Sequence, residues 1–282
     1  MTLPEIKNLY LQKLDHLYPE TEILTFFHLL LERHFGTRKV DLALEPELKR
    51  KQWPEEIFLG ALNELLKERP IQYILGTSEF MGLSFKVNEN VLIPRPETEE
   101  LVKWILDSCN DKIPLKILDI GTGSGCIPVS LALNLPDAEI HGLDISEKAL
   151  DLARDNARRL GAPVHFFKKD VLNAENLADH YHVMVSNPPY VRLSEKTEMR
   201  GNVLRHEPDL ALFVPDEDPL LFYKKIALLG RDALIRNGML FFEINENLAE
   251  PTEEILTKLS YHNIEIRKDI YGKNRMIRAF KK

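Results

Sequence analysis

"LKILDIGTGSGC", residues 115–126, decides the fold. A short apolar run of the kind that forms a buried strand passes into three glycines at alternate positions, Gly121, Gly123 and Gly125. The apolar pattern "CIPVSLALNL" that follows has the spacing of a helix. Downstream the alternation repeats. "EIHGLDI" precedes "SEKALDLARDNARRLG"; "VHFFKKDV" and "YHVMVSN" follow; the helical "PLLFYKKIALLGRDALIRNG" precedes "MLFFEIN", and a last helix comes before "IEIRKDI" and "MIRAFKK". Strands buried on both faces of a sheet read as near-continuous Val, Ile and Leu runs, as these do, and the alternation implies right-handed βαβ units. The expected fold class is α/β, with a doubly wound sheet.

Upstream the texture differs. Residues 1–69 carry apolar residues at three-to-four spacing in "EIKNLYLQKLDHLY", "TEILTFFHLLLERHFG" and "PEEIFLGALNELLKERP", which predicts a small helical domain. Residues 70–96 break into short β-prone runs around Gly76, Gly82 and the Asn88–Asn90 turn, a β-hairpin linker, and the α/β domain is expected over 97–282. The 282 residues are 44% hydrophobic with a formal net charge of -7, which offers nucleic acid and anionic membranes no global attraction. Two cysteines, Cys109 and Cys126, are too few for a disulfide framework and too far apart for a CxxC pair. The charged amino terminus lacks a signal-peptide core, and no run nears the roughly 18 apolar residues of a membrane span. A cytoplasmic monomer without membrane contact is expected.

In such sheets ligands bind at the carboxyl ends of the strands near the topological switch point, so the loops there hold the candidate residues. In the first, Gly121, Thr122, Gly123, Ser124 and Gly125 let the backbone come close to a ligand, while Asp119 would repel a pyrophosphate and pair with an ammonium group. The spacing is neither the GxGxxG of dinucleotide binders nor a P-loop. In the second, Asp144 stands about 20 residues beyond the glycines, where a carboxylate accepts both ribose hydroxyls. In the third, Asp170 can accept from an adenine amino group and Val171 can touch the ring. Together these describe a pocket for adenosine joined to an amino acid, S-adenosyl-L-methionine.

The fourth loop is "SNPPY". Asn187 precedes proline and is held toward extended geometry at the strand tip. Its Oδ1 and the Pro188 carbonyl offer two acceptors, neither Pro188 nor Pro189 has an N–H to compete, and Tyr190 can stack on a planar amide or base. An NH₂ group fits this claw. Held there, it is oriented for in-line methyl transfer, and fixed carbonyl dipoles stabilise the positive charge that develops on nitrogen. Asn187, Pro188, Pro189 and Tyr190 are therefore the candidate catalytic residues. No metal is required: His180 and His182 share a strand face without a third ligand nearby in sequence.

"NPPY" after such a glycine loop resembles the amino methyltransferases, and four stretches narrow the resemblance to the release factor glutamine methyltransferases: "RPIQYILGTSEFMGLSFKVNENVLIPRPETEELV" (69–102), "LDIGTGSGCI" (118–127), "VSNPPYV" (185–191) and "HEPDLALF" (206–213). "IPRPETE" is the most specific of these. The resemblance implies a seven-stranded class I, Rossmann-like methyltransferase domain behind a helical domain and a hairpin. It also implies S-adenosylmethionine as donor, S-adenosyl-L-homocysteine as product, and the GGQ glutamine of class 1 peptide chain release factors as acceptor, a modification that tunes translation termination. It places Gly121–Gly125, Asp144, Val171 and Asn187 on the cofactor, Asn187–Tyr190 on the glutamine, and Arg95, Glu97 and Thr98 beside the acceptor. The chain departs from the family's usual pattern at "VPDEDPLLFY" (214–223) and "EINEN" (243–247). Two alternatives stand beside this reading. One is an N6-adenine or N4-cytosine methyltransferase presenting the same claw to a flipped base, against which the acidic balance counts. The other is a non-catalytic binding module.

Overall fold

The structure is a computed structural model that describes residues 1–109, 115–177, 179–199 and 201–282. The chain forms two compact units. The first comprises Met1–Gly76 together with the short helix Gly201–His206. Its helices Leu3–Leu14, Glu20–Phe35 and Glu55–Leu65 meet along apolar stripes, with Leu3, Ile6, Tyr10 and Leu14 facing Phe27, Leu30, Phe58 and Leu62 in one core. The buried Tyr10 hydroxyl donates to the Phe58 carbonyl at 2.6 Å. Gly36, at φ +64°, ends the second helix in the left-handed conformation that a side chain resists. Ile71–Leu75 is helical rather than β, because Pro70 opens it and the left-handed Gly76 closes it within five residues.

The second unit spans Thr77–Met199 and Glu207–Lys282. It begins with a hairpin, β1 (Thr77–Phe80) and β2 (Leu83–Lys86). Both turn residues, Met81 and Gly82, have positive φ, the geometry that matches strand twist in a two-residue turn. After the helix Pro96–Ser108 come β3 (Lys116–Ile120), β4 (Glu139–Asp144), β5 (Val164–Lys168) and β6 (Tyr181–Ser186). The short β7 (Val191–Arg192) and β8 (Phe213–Val214) pair with each other, and β9 (Leu234–Glu243), β10 (Tyr261–Lys268) and β11 (Asn274–Lys281) complete the order. Among the described residues the main sheet has seven strands in the order β10-β11-β9-β6-β3-β4-β5. β9, β6, β3, β4 and β5 run parallel; β11 is antiparallel to both of its neighbours, β9 and β10, so β10 runs in the same direction as the other five. The helix expected to reach Gly238 ends at Ala233, and "LIRNG" starts β9 instead, with Asn237 at φ +60° and a register shift against β6 absorbing the extra residues.

Alternation along the strands builds a core on each face. Leu118, Ile120, Met184, Leu240 and Phe242 pack with the helices Leu221–Ala233 and Ala249–Lys258. Their neighbours Ile117, Val183, Val185 and Phe241 pack with Pro96–Ser108 and Cys126–Asn134. The chain moves outward from β3 through β4 to β5 and then returns to β6 on the other side of β3. β3 and β6 therefore flank the switch point, where departing loops leave a crevice.

Candidate functional site

A pocket of about 320 Å³ opens at these strand ends. Its lining includes Gly121–Ser124 after β3, Asp144 and Ile145 after β4, Asp170 and Val171 after β5, and Asn187–Pro189 after β6. Arg95 and Thr98 border it from the start of the helix Pro96–Ser108. The four loops named in the sequence thus converge on one cavity of small-molecule size. Of the candidate residues, Asp119, Gly125, Glu97 and Tyr190 are outside that lining, and three of the four have a visible reason.

Asp119 is fully buried beneath the glycine loop, and among the described residues neither of its carboxylate oxygens has a hydrogen-bond partner. Burial pushes its pKa up to about 7, an effect that the nearby Thr122 hydroxyl opposes and the Asp144 charge reinforces. Such a carboxyl lacks a partner for its charge. The three glycines divide their work. Gly121 and Gly123 have positive φ, and a Cβ on either would enter open space; Gly125, at φ +80°, is instead packed so that a Cβ would lie 3.1 Å from the Ala153 Cβ. Gly125 therefore serves the approach of the following helix to its neighbour.

The carboxylates of the second and third loops are fastened by backbone. Asp144 accepts N–H groups from Gly123 and Ser146, each at 2.9 Å, so the acid after β4 holds the glycine loop after β3. Its pKa is raised by burial and held back by those backbone donors. Asp170 accepts from the Leu172 N–H at 2.9 Å and the Asn173 amide at 2.6 Å, closing its own turn, with Val171 buried behind it.

On the β6 side the polar groups form a chain. The Asn187 Nδ2 donates to the Thr98 Oγ1 at 3.3 Å, and the Thr98 hydroxyl donates to the Glu243 Oε2 at 2.6 Å. Tyr190, expected to present its ring to an acceptor, packs that ring against the core of one sheet face and donates its hydroxyl to the Glu243 Oε1 at 3.3 Å. Glu243 is the last residue of β9 and is buried; burial raises its pKa, while the Thr98 bond and the Arg275 charge counter that rise. Arg95 is tied to the buried Glu207 through both carboxylate oxygens, at 2.6 and 2.7 Å, which draws "IPRPE" and "HEPDLALF" together at the rim.

Sequence reasoning missed several of these. Glu243 closes an apolar strand as Asp119 nearly does and Asp144 does, and that shared strand-end position was a usable signal. Asn156 had none: it is buried in the middle of the helix Glu147–Leu160. There its amide donates to the Ser124 carbonyl at 2.9 Å and the Lys86 carbonyl at 3.0 Å while its Oδ1 accepts the Lys86 N–H at 2.7 Å, joining glycine loop to hairpin. Cys126, at the helix start, lines the pocket, but burial pushes its thiol up to about 12, so it is inert there. Among the described residues one trio has metal-ligand spacing, Glu139, His141 and Asp179. The Lys116 ammonium bonds both acids, at 2.9 Å from Glu139, and the trio is an ion-pair network. His182 accepts the Lys116 backbone N–H at 3.0 Å.

The comparisons with known proteins agree with this architecture. Residues 101–207 match the family model described as "Methyltransferase small domain". A release factor glutamine methyltransferase of Flavobacterium psychrophilum is 48% identical over 283 residues, covering 99% of this chain and 99% of that protein. A methyltransferase of Pyrococcus furiosus superimposes with a TM-score of 0.51 at 18% identity, covering 71% of this chain and 90% of that one. The T. thermophilus 16S rRNA methyltransferase RsmC, solved in complex with AdoMet and guanosine, gives a TM-score of 0.52 at 15% identity over 73% of this chain and 50% of that one. Their common fold is the doubly wound sheet of the class I methyltransferases. Among the described residues no helix is long and apolar enough to cross a membrane.

Proposed function

Since the chain belongs to the release factor glutamine methyltransferase family, we propose that it methylates the N5 side-chain amide of the GGQ glutamine in class 1 peptide chain release factors, with S-adenosyl-L-methionine as donor. The observation that carries this reading is a single pocket with a buried, partnerless carboxyl beside its glycine cradle and the Asn187–Pro189 acceptors across from it. The residues fit the donor's chemistry. Asp119 suits an ammonium group, Gly121 and Gly123 leave the space that a Cβ would fill, Asp144 can receive a ribose diol, and Asp170 with Val171 can meet an adenine. When bound, S-adenosylmethionine supplies a methyl group on a positively charged sulfonium.

The remaining chemistry belongs to the claw. The Asn187 Oδ1 and the Pro188 carbonyl accept the two N–H bonds of the glutamine amide, and Pro189 adds no donor that would compete. Holding both hydrogens fixes the nitrogen for in-line attack, and the two acceptor dipoles favour the charge that grows there. The methylated nitrogen, bearing an extra proton, is acidic enough to lose it to water, so this scheme assigns no strong base. Arg95 and Thr98 border the acceptor side, with Glu97 just outside the lining. The buried Glu207 holds Arg95 and with it the rim.

Transfer of labelled methyl to purified release factor, to the same factor with its GGQ glutamine changed to alanine, and to total nucleic acid tests the proposal. Label on the unmodified factor alone supports it. Label on nucleic acid would favour the base-modifying alternative, and label on none would favour the binding module. In the same assay, Asn187→Ala should lower turnover by about 30- to 1000-fold, equivalent to about 2 to 4 kcal/mol of transition-state stabilisation, with cofactor affinity nearly unchanged. Unimpaired turnover in that variant would remove the claw.

A further inference from the structure

We propose that Glu243, acting through the Thr98 hydroxyl, sets which end of the Asn187 carboxamide faces the pocket, and is thus a positioning residue for methyl transfer. A carboxamide is nearly symmetric in shape, and its two orientations present opposite polarity. With oxygen toward the pocket, Asn187 accepts an acceptor N–H; turned over, it would offer two N–H groups to a substrate NH₂ and repel it. This role presupposes, as proposed above, that Asn187 receives the substrate amide.

The polarity follows from the connections. An ionised carboxylate only accepts, and a hydroxyl has one proton. The Thr98 hydroxyl commits that proton to the Glu243 Oε2 at 2.6 Å and can only accept from Asn187. The Asn187 group facing it at 3.3 Å must then be the NH₂, which leaves Oδ1 for the pocket. Topology brings the members together: Phe242 pairs with Ser186, so Glu243 and Asn187 leave adjacent parallel strands at the same level, and Thr98 comes from the buried face of the helix Pro96–Ser108. Thr98 is 3% exposed and Glu243 2%, so water does not compete for these bonds.

Glu243 has ionic and polar neighbours on every side. Thr98 and Glu97 face it from that helix, Tyr190 from the loop after β6, Arg275 from β11, and the Cys126 thiol from the helix after the glycine loop. The Tyr223 hydroxyl holds its backbone carbonyl at 3.2 Å, and Arg275 is itself held by Asp269 at 3.0 Å. Two hydroxyl donors and the guanidinium favour the carboxylate; burial and Glu97 oppose it. As pH falls, this carboxyl takes up its proton sooner than an exposed glutamate, the Thr98 hydroxyl is no longer obliged to donate to it, and the amide loses its preferred orientation.

The test compares the wild type with Thr98→Val, Thr98→Ser and Glu243→Gln in three measurements. These are steady-state release factor methylation over pH, the dissociation constant of S-adenosylhomocysteine, and the ¹⁵N side-chain amide resonances of Asn187. Thr98→Val and Glu243→Gln should each lower kcat about tenfold or more, on the scale of one positioning hydrogen bond. The dissociation constant should move less than about twofold, and Thr98→Ser should recover most of the lost kcat. The acid limb of the wild-type kcat profile should vanish in Glu243→Gln. The amide resonances, which need no acceptor, should show one exchange-protected proton shifted from the free-carboxamide position in the wild type and in Thr98→Ser, and two unprotected protons at free-carboxamide positions in Thr98→Val. Unchanged resonances and kcat in Thr98→Val would overturn the proposal. Should the wild type label no release factor, the functional proposal fails while the resonances still decide whether Thr98 and Glu243 orient Asn187.

Discussion

At Asp144 one carboxylate carries two loads. It accepts the Gly123 and Ser146 N–H groups and, in the proposed function, a ribose diol as well. Changing it to alanine should weaken S-adenosylhomocysteine binding by about 1 to 3 kcal/mol, roughly 5- to 150-fold, since the diol and the Gly123 N–H both lose their acceptor. Titration calorimetry with wild type and variant would read this directly, and equal dissociation constants would detach Asp144 from the cofactor. Asp170 differs: its two oxygens bond within its own turn, so in the proposed function it would act on the ligand partly through the shape it gives the loop. Both aspartates could be named from the sequence because each stands at or just beyond the end of a strand run, a local signal. What the side chains bond to was invisible there, since the partners belong to other segments.

At the scale of elements, the helix Glu147–Leu160 does more than cover the sheet, because the buried Asn156 joins it to the glycine loop and to β2. Asn156→Ala would leave the Lys86 N–H and two carbonyls without partners in a dry site, which should cost about 2 to 4 kcal/mol. A lower thermal midpoint together with weaker S-adenosylhomocysteine binding is the expected result; a midpoint within a degree of wild type would show that water replaces the side chain. The alternation of apolar runs revealed the main strands and helices, since hydrophobic periodicity is a property of ten or so neighbouring residues. It misjudged "LIRNG", where a bulged strand and a helix end share the same composition. It also missed Asn156 and Glu243, whose meaning comes from contacts 70 and 145 residues away in the chain. A polar residue in an amphipathic helix or at the end of a strand looks ordinary until the fold brings its partners.

For the molecule as a whole, Asp119 makes stability depend on pH. Its folded pKa of about 7 lies above its ordinary value of 3.8, so between these the folded chain holds a proton that the unfolded chain has released. This contribution is fully present below about pH 4 and is lost as pH rises through about 7. The ligand-free protein should lose thermal stability across that window, and Asp119→Asn, which cannot titrate, should show a shallower decline. Parallel profiles for the two proteins would mean that Asp119 does not titrate in that range.

In the proposed function the same buried carboxyl would make ligand capture an acid–base event. An ammonium group pairing with Asp119 would favour its ionised form, so near neutrality each binding event should expel a fraction of a proton into solution. Heats measured in phosphate and in Tris would then differ in proportion to the ionisation enthalpies of the two buffers, and the difference would disappear in Asp119→Asn. Apparent affinity for the methyl donor would rise with pH until Asp119 is fully ionised, which would tie methylation capacity to the acidity of the surroundings through one carboxyl buried beneath the pocket.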